Sequence, residues 1–356
     1  NSPFWKESIL YNAVGLPTYR HTLDADRSTS YSYAYDDLYQ LTSDSTHTYQ
    51  YDSLCNRVSK DQTFYNVDDL NQLTNQNDNE YSYDPDGNLT QDTDHFFTYD
   101  ALGRLTEIKN GEVATQYSYD GFHRRMSKIH QGEETNFLYQ GDNEIGAYKN
   151  DKLIQFRVLG LTRGLEIGAS VALELNDKVY TPLHDAFGNI VTLVHHLQPV
   201  ETYRYTAFGE SLTLNPLNNP WRFSSKRLDE ESGLYYFGRR YYQPDIGRWI
   251  TPDPAGFADS FNLYNYVHNN PLKYIDPDGR LPFFVVPLAL YALEFSLPYL
   301  VPLVTEYTGS AFLGAMVAAT VQGLNGTGSI DPTVLLSGDI PAIVHQGCLV
   351  LSLVGS

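Results

Sequence analysis

The strings YSYDPDGNL, ending at Leu89, and FTYDALGRL, ending at Leu105, are two copies of one pattern, Tyr-Asp-x-x-Gly-[Asn/Arg]-Leu. Related copies surround Tyr35, Tyr51 and Tyr119, and degenerate ones sit at Val67, His184 and Tyr205. YNAVGLP at Tyr11 and FLYQGDNEI at Tyr139 are weaker still. Aligned on the tyrosine, the series runs 35, 51, 67, 83, 99, 119, 139, with four steps of 16 and then two of 20. A fixed step over several units means repeat architecture, in which each unit stacks on its neighbours.

The unit has a physical reading. Aromatics alternate before the aspartate, as in Tyr81-Ser82-Tyr83 and Tyr117-Ser118-Tyr119, and period two with Tyr and Phe means a strand with one packed face. Asp84-Pro85-Asp86-Gly87 then suits a type I turn. The aspartate accepts from the backbone, proline presets the next φ, and glycine takes the left-handed position. Asp100 and Gly103 fill the same turn positions in the next copy. Each repeat is therefore strand, tight turn, strand. Such hairpins are too short to stand alone. Side by side they make a long antiparallel sheet with a tyrosine ladder on one face. The 29 tyrosines among 356 residues supply that ladder. The fold class expected is all-β.

Composition changes sharply near Arg280. The last 76 residues hold no Lys or Arg, and their only acids are Glu294, Glu306, Asp331 and Asp339. The expected organisation is a repeat sheet over 1–202, a closing segment over 203–280 and a hydrophobic, helical tail over 281–356. The net charge of -19 gives no positive field to draw in phosphates, so nucleic acid is not an expected partner. Cys55 and Cys348 are the only cysteines, which excludes a disulfide framework. The chain starts at Asn1 without a basic-then-apolar leader and reads as an internal or C-terminal piece of something longer.

Residues 203–280 contain YRYTAFGES, then NPWRFSSKRLDEESGLYYFGRRYYQPDIGRWITPDPAG, then NLYNYVHNNPLKYIDPDG. With the upstream repeats, this block resembles the YD repeats and core segment of Rhs-type polymorphic toxins and the related C subunits of Tc toxin complexes. The resemblance covers roughly 30–280. It implies a sheet spiralling into a hollow shell, and a core segment that plugs one end and acts as an aspartyl autoprotease. The cut would fall just after the last Asp-Pro-x-Gly motif and free a variable toxin held inside. It further implies a shell region N-terminal to this chain, the tail as encapsulated passenger, an immunity protein as partner, and a secreted or bacterial cell-surface location. No cofactor or metal is implied.

Two late motifs matter, Asp253-Pro254-Ala255-Gly256 and Asp276-Pro277-Asp278-Gly279. The plain reading is that both are turns, since Asp84-Pro85-Asp86-Gly87 has the same form. The resemblance implies more. Nineteen residues separate the motifs, close to the family spacing, and Pro271 precedes Asp276 as the family pattern requires. Asp253 and Asp276 are then the catalytic pair. Two carboxyls held close cannot both ionise cheaply, so one can serve as base on a water while the protonated partner polarises a carbonyl. Arg240 and Arg248 match arginines of this block, and either could hold a carboxylate ionised or merely fix the plug. The family usually has Leu after the final Gly; here Arg280 stands there, followed by Leu281. The cut is expected at Arg280–Leu281 or one bond later, slowed if Arg280 must enter an apolar pocket.

Other chemistry is sparse. The ten histidines show no metal-ligand spacing, and the pair His195-His196 is expected on opposite faces of a strand. Asp229, Glu230 and Glu231 read as a solvated turn before Gly233. Leu281–Val304 is long enough to span a membrane, but four prolines and Glu294 oppose that. A membrane-active tail that inserts after release is one reading, and a tail packed on the shell wall is the other. The alternative for the whole chain is a non-cleaving structural or adhesive surface protein that stacks carbohydrate on its tyrosines.

Overall fold

The computed structural model describes residues 4–24, 27–160, 166–213, 216–258 and 260–284. The expected helical tail and membrane-active stretch lie outside the described residues. Among those described, the fold is all-β, and no helix is long and apolar enough to cross a membrane.

The repeats form antiparallel groups of strands in which pairing follows the order of the sequence. Three strands, Lys6–Tyr11, Pro17–Asp24 and Arg27–Ser32, form the first. A pair, Ala34–Tyr35 with Leu41–Ser43, comes next, then five strands between Tyr49–Tyr51 and Asn79–Glu80, and thirteen run without interruption from Ser82–Tyr83 to Gln198–Thr202. The change of step from 16 to 20 residues is a change of strand length. Strands grow from the three of Leu89–Gln91 to the six of Leu105–Asn110 and the seven of Val113–Tyr119.

One turn geometry recurs. In the Asp84 turn, Gly87 N donates to Asp84 O (3.0 Å) and Asp84 N to Asn88 O (2.9 Å). Asp84 Oδ1 accepts from the amides of Asp86 (3.0 Å) and Asn88 (2.9 Å), and Oδ2 from the Asn88 side chain (2.9 Å). Asp36, Asp52, Asp100, Asp120 and Asp185 repeat this set with Gln, Asn or Arg as the fifth residue. Asn12 does the same backbone work in the weak first copy. The copy at Tyr139 instead closes as a two-residue hairpin, Gln140 opposite Asn143. The fourth turn residue takes positive φ whether it is Gly87 (86°), Gly103 (69°), Tyr39 (64°), Cys55 (60°) or His123 (66°).

The tyrosine at the repeat position ties one repeat to the one before it. At Tyr83 the hydroxyl accepts from Leu73 N (3.1 Å); in other copies it donates to the carbonyl of the residue where the earlier copy resumes a strand. Tyr51 reaches Leu41 O (2.7 Å), Tyr99 Leu89 O (2.8 Å), Tyr119 Leu105 O (2.7 Å), Tyr139 Arg125 O (2.9 Å) and Tyr205 Ile190 O (2.9 Å). The aromatic two residues earlier is buried on the same face: Tyr49, Tyr65, Tyr81, Phe97, Tyr117 and Phe137.

That face is covered by the C-terminal part of the chain. A four-stranded antiparallel sheet, Arg227–Asp229, Leu234–Tyr236, Tyr241–Gln243 and Arg248–Trp249, supplies the covering aromatics. Tyr236, Tyr241, Ile246 and Ile250 pack among the repeat residues Tyr65, Leu89, Phe97 and Tyr117. Ring pairs run between the two parts, as in Tyr117 with Tyr241 and Tyr83 with Tyr264, both at 5.8 Å. The tyrosine face is thus an internal packing surface.

Two local expectations are corrected. His195 and His196 do not diverge; their rings lie 4.0 Å apart, because the strand ends at His195 and His196 turns at φ 49°. The turn before Gly233 exists, but Asp229 is fully buried in an ion pair with Arg125, and Glu231 pairs with Lys128 at 2.7 Å. Burial raises the Asp229 carboxyl, but Arg125, Lys128 and Arg227 together hold it below the usual carboxylate range.

Candidate functional site

The two late Asp-Pro-x-Gly motifs are turns, as the plain reading has it, and they also converge. Asp253 Oδ1 accepts from Ala255 N (2.8 Å), and Gly256 N closes on Asp253 O (2.9 Å). Asp276 Oδ1 accepts from the amides of Asp278 (3.3 Å), Gly279 (2.8 Å) and Arg280 (3.1 Å). In each the second carboxyl oxygen is left for another task. Both Oδ2 atoms meet Nη2 of Arg240, Asp253 at 2.8 Å and Asp276 at 3.4 Å.

Arg240 is held from all sides. Its Nε donates to Gly279 O (2.6 Å), its Nη1 to Leu263 O (3.2 Å), and its guanidinium lies 4.1 Å from the Trp249 ring centre. The arginine and Asp276 side chains are each 2% exposed, and Asp253 is 10% exposed. Burial lifts both carboxyls above their ordinary value, against the pull of Arg240. Burial also lowers the Arg240 guanidinium, despite the two carboxyls beside it. One buried cation neutralises one carboxylate. A second ionised carboxylate would stand uncompensated, so ionising both at once costs more than ionising either alone.

The segment where a cut is expected leaves this centre through a hairpin. Tyr274–Ile275 pairs with Phe283–Phe284, and the loop between them contains Asp276 to Leu281. Arg280 does not enter an apolar pocket. Its side chain is 49% exposed and pairs with Asp278, so its charge stays solvated. Arg280 and Leu281 border a cavity of about 580 Å3, whose walls include Phe237, Pro254 and Pro277.

Arg248 is placed elsewhere. It donates to Asn56 Oδ1 (3.1 Å) and Asn71 O, and its guanidinium is 5.5 Å from the Tyr264 ring centre. It belongs to a contact that sequence reasoning missed. The asparagines of NLYNYVHNN bind successive repeat turns: Asn262 to Leu54 O (3.1 Å), Asn269 to Cys55 O (2.8 Å) and Asn270 to Tyr39 O (2.6 Å). Tyr264 adds Gly87 O (2.8 Å). The asparagine run was the available signal, and its partners more than 170 residues away were not readable from it.

A ladder of tyrosine-tied hairpins, closed over its aromatic face by a covering sheet, defines a segment of YD-repeat β-shell. A family model described as Teneurin YD-shell matches residues 2–272, and the chain belongs to that YD-repeat family. Among curated relatives, the tRNA nuclease WapA of Bacillus subtilis (strain 168) is 34% identical over 187 residues, which are 50% of this chain and 8% of the relative. Toxin subunit YenC2 of Yersinia entomophaga is 57% identical over 61 residues, 17% of this chain and 6% of the relative. The chain thus spans less than a tenth of the length of either. A crystal structure of TcdB2-TccC3-TEV shares the fold with TM-score 0.63 at 22% identity, covering 77% of this chain and 17% of that one.

Proposed function

We propose that this chain is the C-terminal part of an Rhs-type toxin that cuts itself. In this reading 1–202 is shell wall, 203–280 is plug and autoprotease, and 281–356 is the passenger released near Arg280–Leu281. The observation that carries it is the convergence of Asp253 and Asp276 on Arg240, which also holds the Gly279 carbonyl beside the exit of the chain. A water oxygen adds to the scissile carbonyl carbon while the ionised carboxylate of the pair takes its proton. The carbon–nitrogen bond then breaks, and the protonated carboxyl gives its proton to the leaving nitrogen, so a new carboxylate and a new amine result. Arg240 keeps one carboxyl ionised by charge-assisted bonding.

Two observations support this over a non-cleaving adhesive protein. The tyrosine face that would stack sugars is packed against the chain's own covering sheet. The charge of Arg280 stays solvated at the exit and sets no burial cost on cleavage. Relatives bear the names of tRNA nucleases, but residues 281–356 hold no Lys or Arg, so this stretch offers no positive field for nucleic acid. An immunity partner and a secreted or bacterial surface location follow from the same reading.

The mass of the purified chain tests it. Two fragments, with a new N-terminus near Leu281, are expected from the wild type, and one intact chain from Asp276→Asn. An intact wild type indistinguishable from Asp276→Asn would sink the proposal.

A further inference from the structure

Three successive carbonyls of the Asp276 turn are held from outside it. Arg240 Nε takes Gly279 O (2.6 Å), the backbone N of Arg239 takes Asp278 O (3.0 Å), and Lys226 Nζ takes Pro277 O. In the Asp84 turn, which has the same letters, the outside donor is the Tyr264 hydroxyl on Gly87 O. The late turn is therefore clamped peptide by peptide, which a merely structural bend does not require.

Arg239 and Arg240 reach the turn from one neighbouring loop. Lys226 arrives by a costlier route. The two residues before it, Ser224 and Ser225, both hold positive φ, 50° and 53°, although neither is glycine. They are fixed there from the repeat side: Ser224 N donates to Asn189 Oδ1 (2.7 Å), Ser225 Oγ to Gly188 O (2.7 Å), and Gly168 N to Ser225 Oγ (3.0 Å). Backbone held in a sparsely populated region needs surroundings that over-determine it. Here the result is a lysine, 3% exposed, whose ammonium lies between Glu166 and the Pro277 carbonyl. Glu166 is aimed in turn by Arg157, and the two cations hold its carboxyl below the ordinary value although burial alone would raise it. Arg157 lies in the repeat strand Lys152–Leu159 and Glu166 precedes the strand Ser170–Leu175, whereas Lys226 and Pro277 belong to the covering segment.

We infer that Lys226, aimed by Glu166, is a positioning residue for the self-cleavage proposed above. It couples the cut to seating of the covering segment on the repeats. The inference rests on that reading. Lys226 orients the peptide plane that leads into the scission region. A misplacement of about 1 Å at a reacting centre costs roughly a hundredfold in rate. Seating the covering segment brings Glu166 to Lys226, and only then is the turn complete.

The experiment follows cleavage of the whole chain after cell-free synthesis, for wild type, Lys226→Met, Lys226→Arg, Glu166→Gln and the Lys226→Met/Glu166→Gln double variant. Lys226→Met is expected to slow cleavage by roughly a hundredfold, and Lys226→Arg to restore most of the rate. Glu166→Gln should slow it in the same direction, with the double variant no slower than Lys226→Met, as for two parts of one device. Melting of each variant in an Asp276→Asn background reports folding separately. Should Lys226→Met fail to melt cooperatively, Glu166→Gln and Lys226→Arg carry the test alone. Wild-type cleavage by either Lys226→Met or Glu166→Gln overturns the inference and leaves the aspartate reading standing. So does failure of Lys226→Arg to recover any rate, or additive slowing in the double variant. A wild type that stays whole overturns both.

Discussion

Asp84 and Asp276 perform the same backbone task and differ in what the second oxygen meets. Asp84 gives Oδ2 to Asn88 and completes a local cap. Asp276 gives Oδ2 to Arg240, 36 residues away, and enters a buried charge centre. One residue type in one motif thus serves a local cap in the first case and a turn joined to a buried charge centre in the second. The turn glycine shows the reverse case. Cys55 occupies the left-handed position that Gly87 and Gly103 fill in better copies of the repeat, with φ 60°. Holding a non-glycine residue there costs about 1–2 kcal/mol. The contacts at this turn use the Cys55 backbone carbonyl, which Asn265 and Asn269 bind, so a side-chain change leaves them in place. Cys55→Gly should accordingly stabilise the chain by about 1 kcal/mol, less what the freer unfolded chain gives back. The denaturant midpoint reads this, and an unchanged or lowered midpoint refutes it.

At the scale of the hairpin, the tyrosine hydroxyls are the link from one repeat to the next. Tyr99→Phe removes only the bond to Leu89 O and keeps the ring. The loss should be about 1 kcal/mol for one buried hydrogen bond, somewhat more because the carbonyl is left unpaired. Urea unfolding of Tyr99→Phe beside wild type measures it, and equal midpoints would mean that the ring alone does the linking. The hairpin itself was legible because its causes are local: alternation over three residues and a turn over four. The 16-residue step gave the antiparallel order for the same reason. What was not legible has distant causes. Asp229 reads as a surface turn from its neighbours and is buried because Arg125 is 104 residues away. Arg248 shares a motif with the aspartates yet faces Asn56 and Asn71 across the interface. Glu166 and Lys226 carry no local mark at all. The aspartate pair was named through a long motif shared with a family, not through any property of a single Asp-Pro-x-Gly string.

Over the whole molecule, two sets of buried carboxyls respond to pH with opposite sign. Asp229 is held below the ordinary carboxylate value by Arg125, Lys128 and Arg227. Its stabilising contribution is present above the unfolded value and is lost as pH falls through the folded one. Asp253 and Asp276 are raised by burial. Their neutral forms are favoured in the folded chain, and that contribution fades as pH rises through the folded values. The window between is bounded below by the ordinary carboxylate value of 3.8, since only under it does Asp229 begin to protonate. In the proposed mechanism the pair must hold one proton to give to the leaving nitrogen, and the raised carboxyls favour that form at the acidic side of the window. Cleavage should therefore be faster at mildly acidic pH than under alkaline conditions, with a single descending limb toward high pH. Cell-free product, transferred as it emerges into buffers from pH 5 to 8.5, gives the profile. Circular dichroism on Asp276→Asn over the same range checks that the fold persists. A flat profile, or one that rises with pH, would mean that no protonated carboxyl takes part, and the aspartate mechanism would then fail even if the chain is cut.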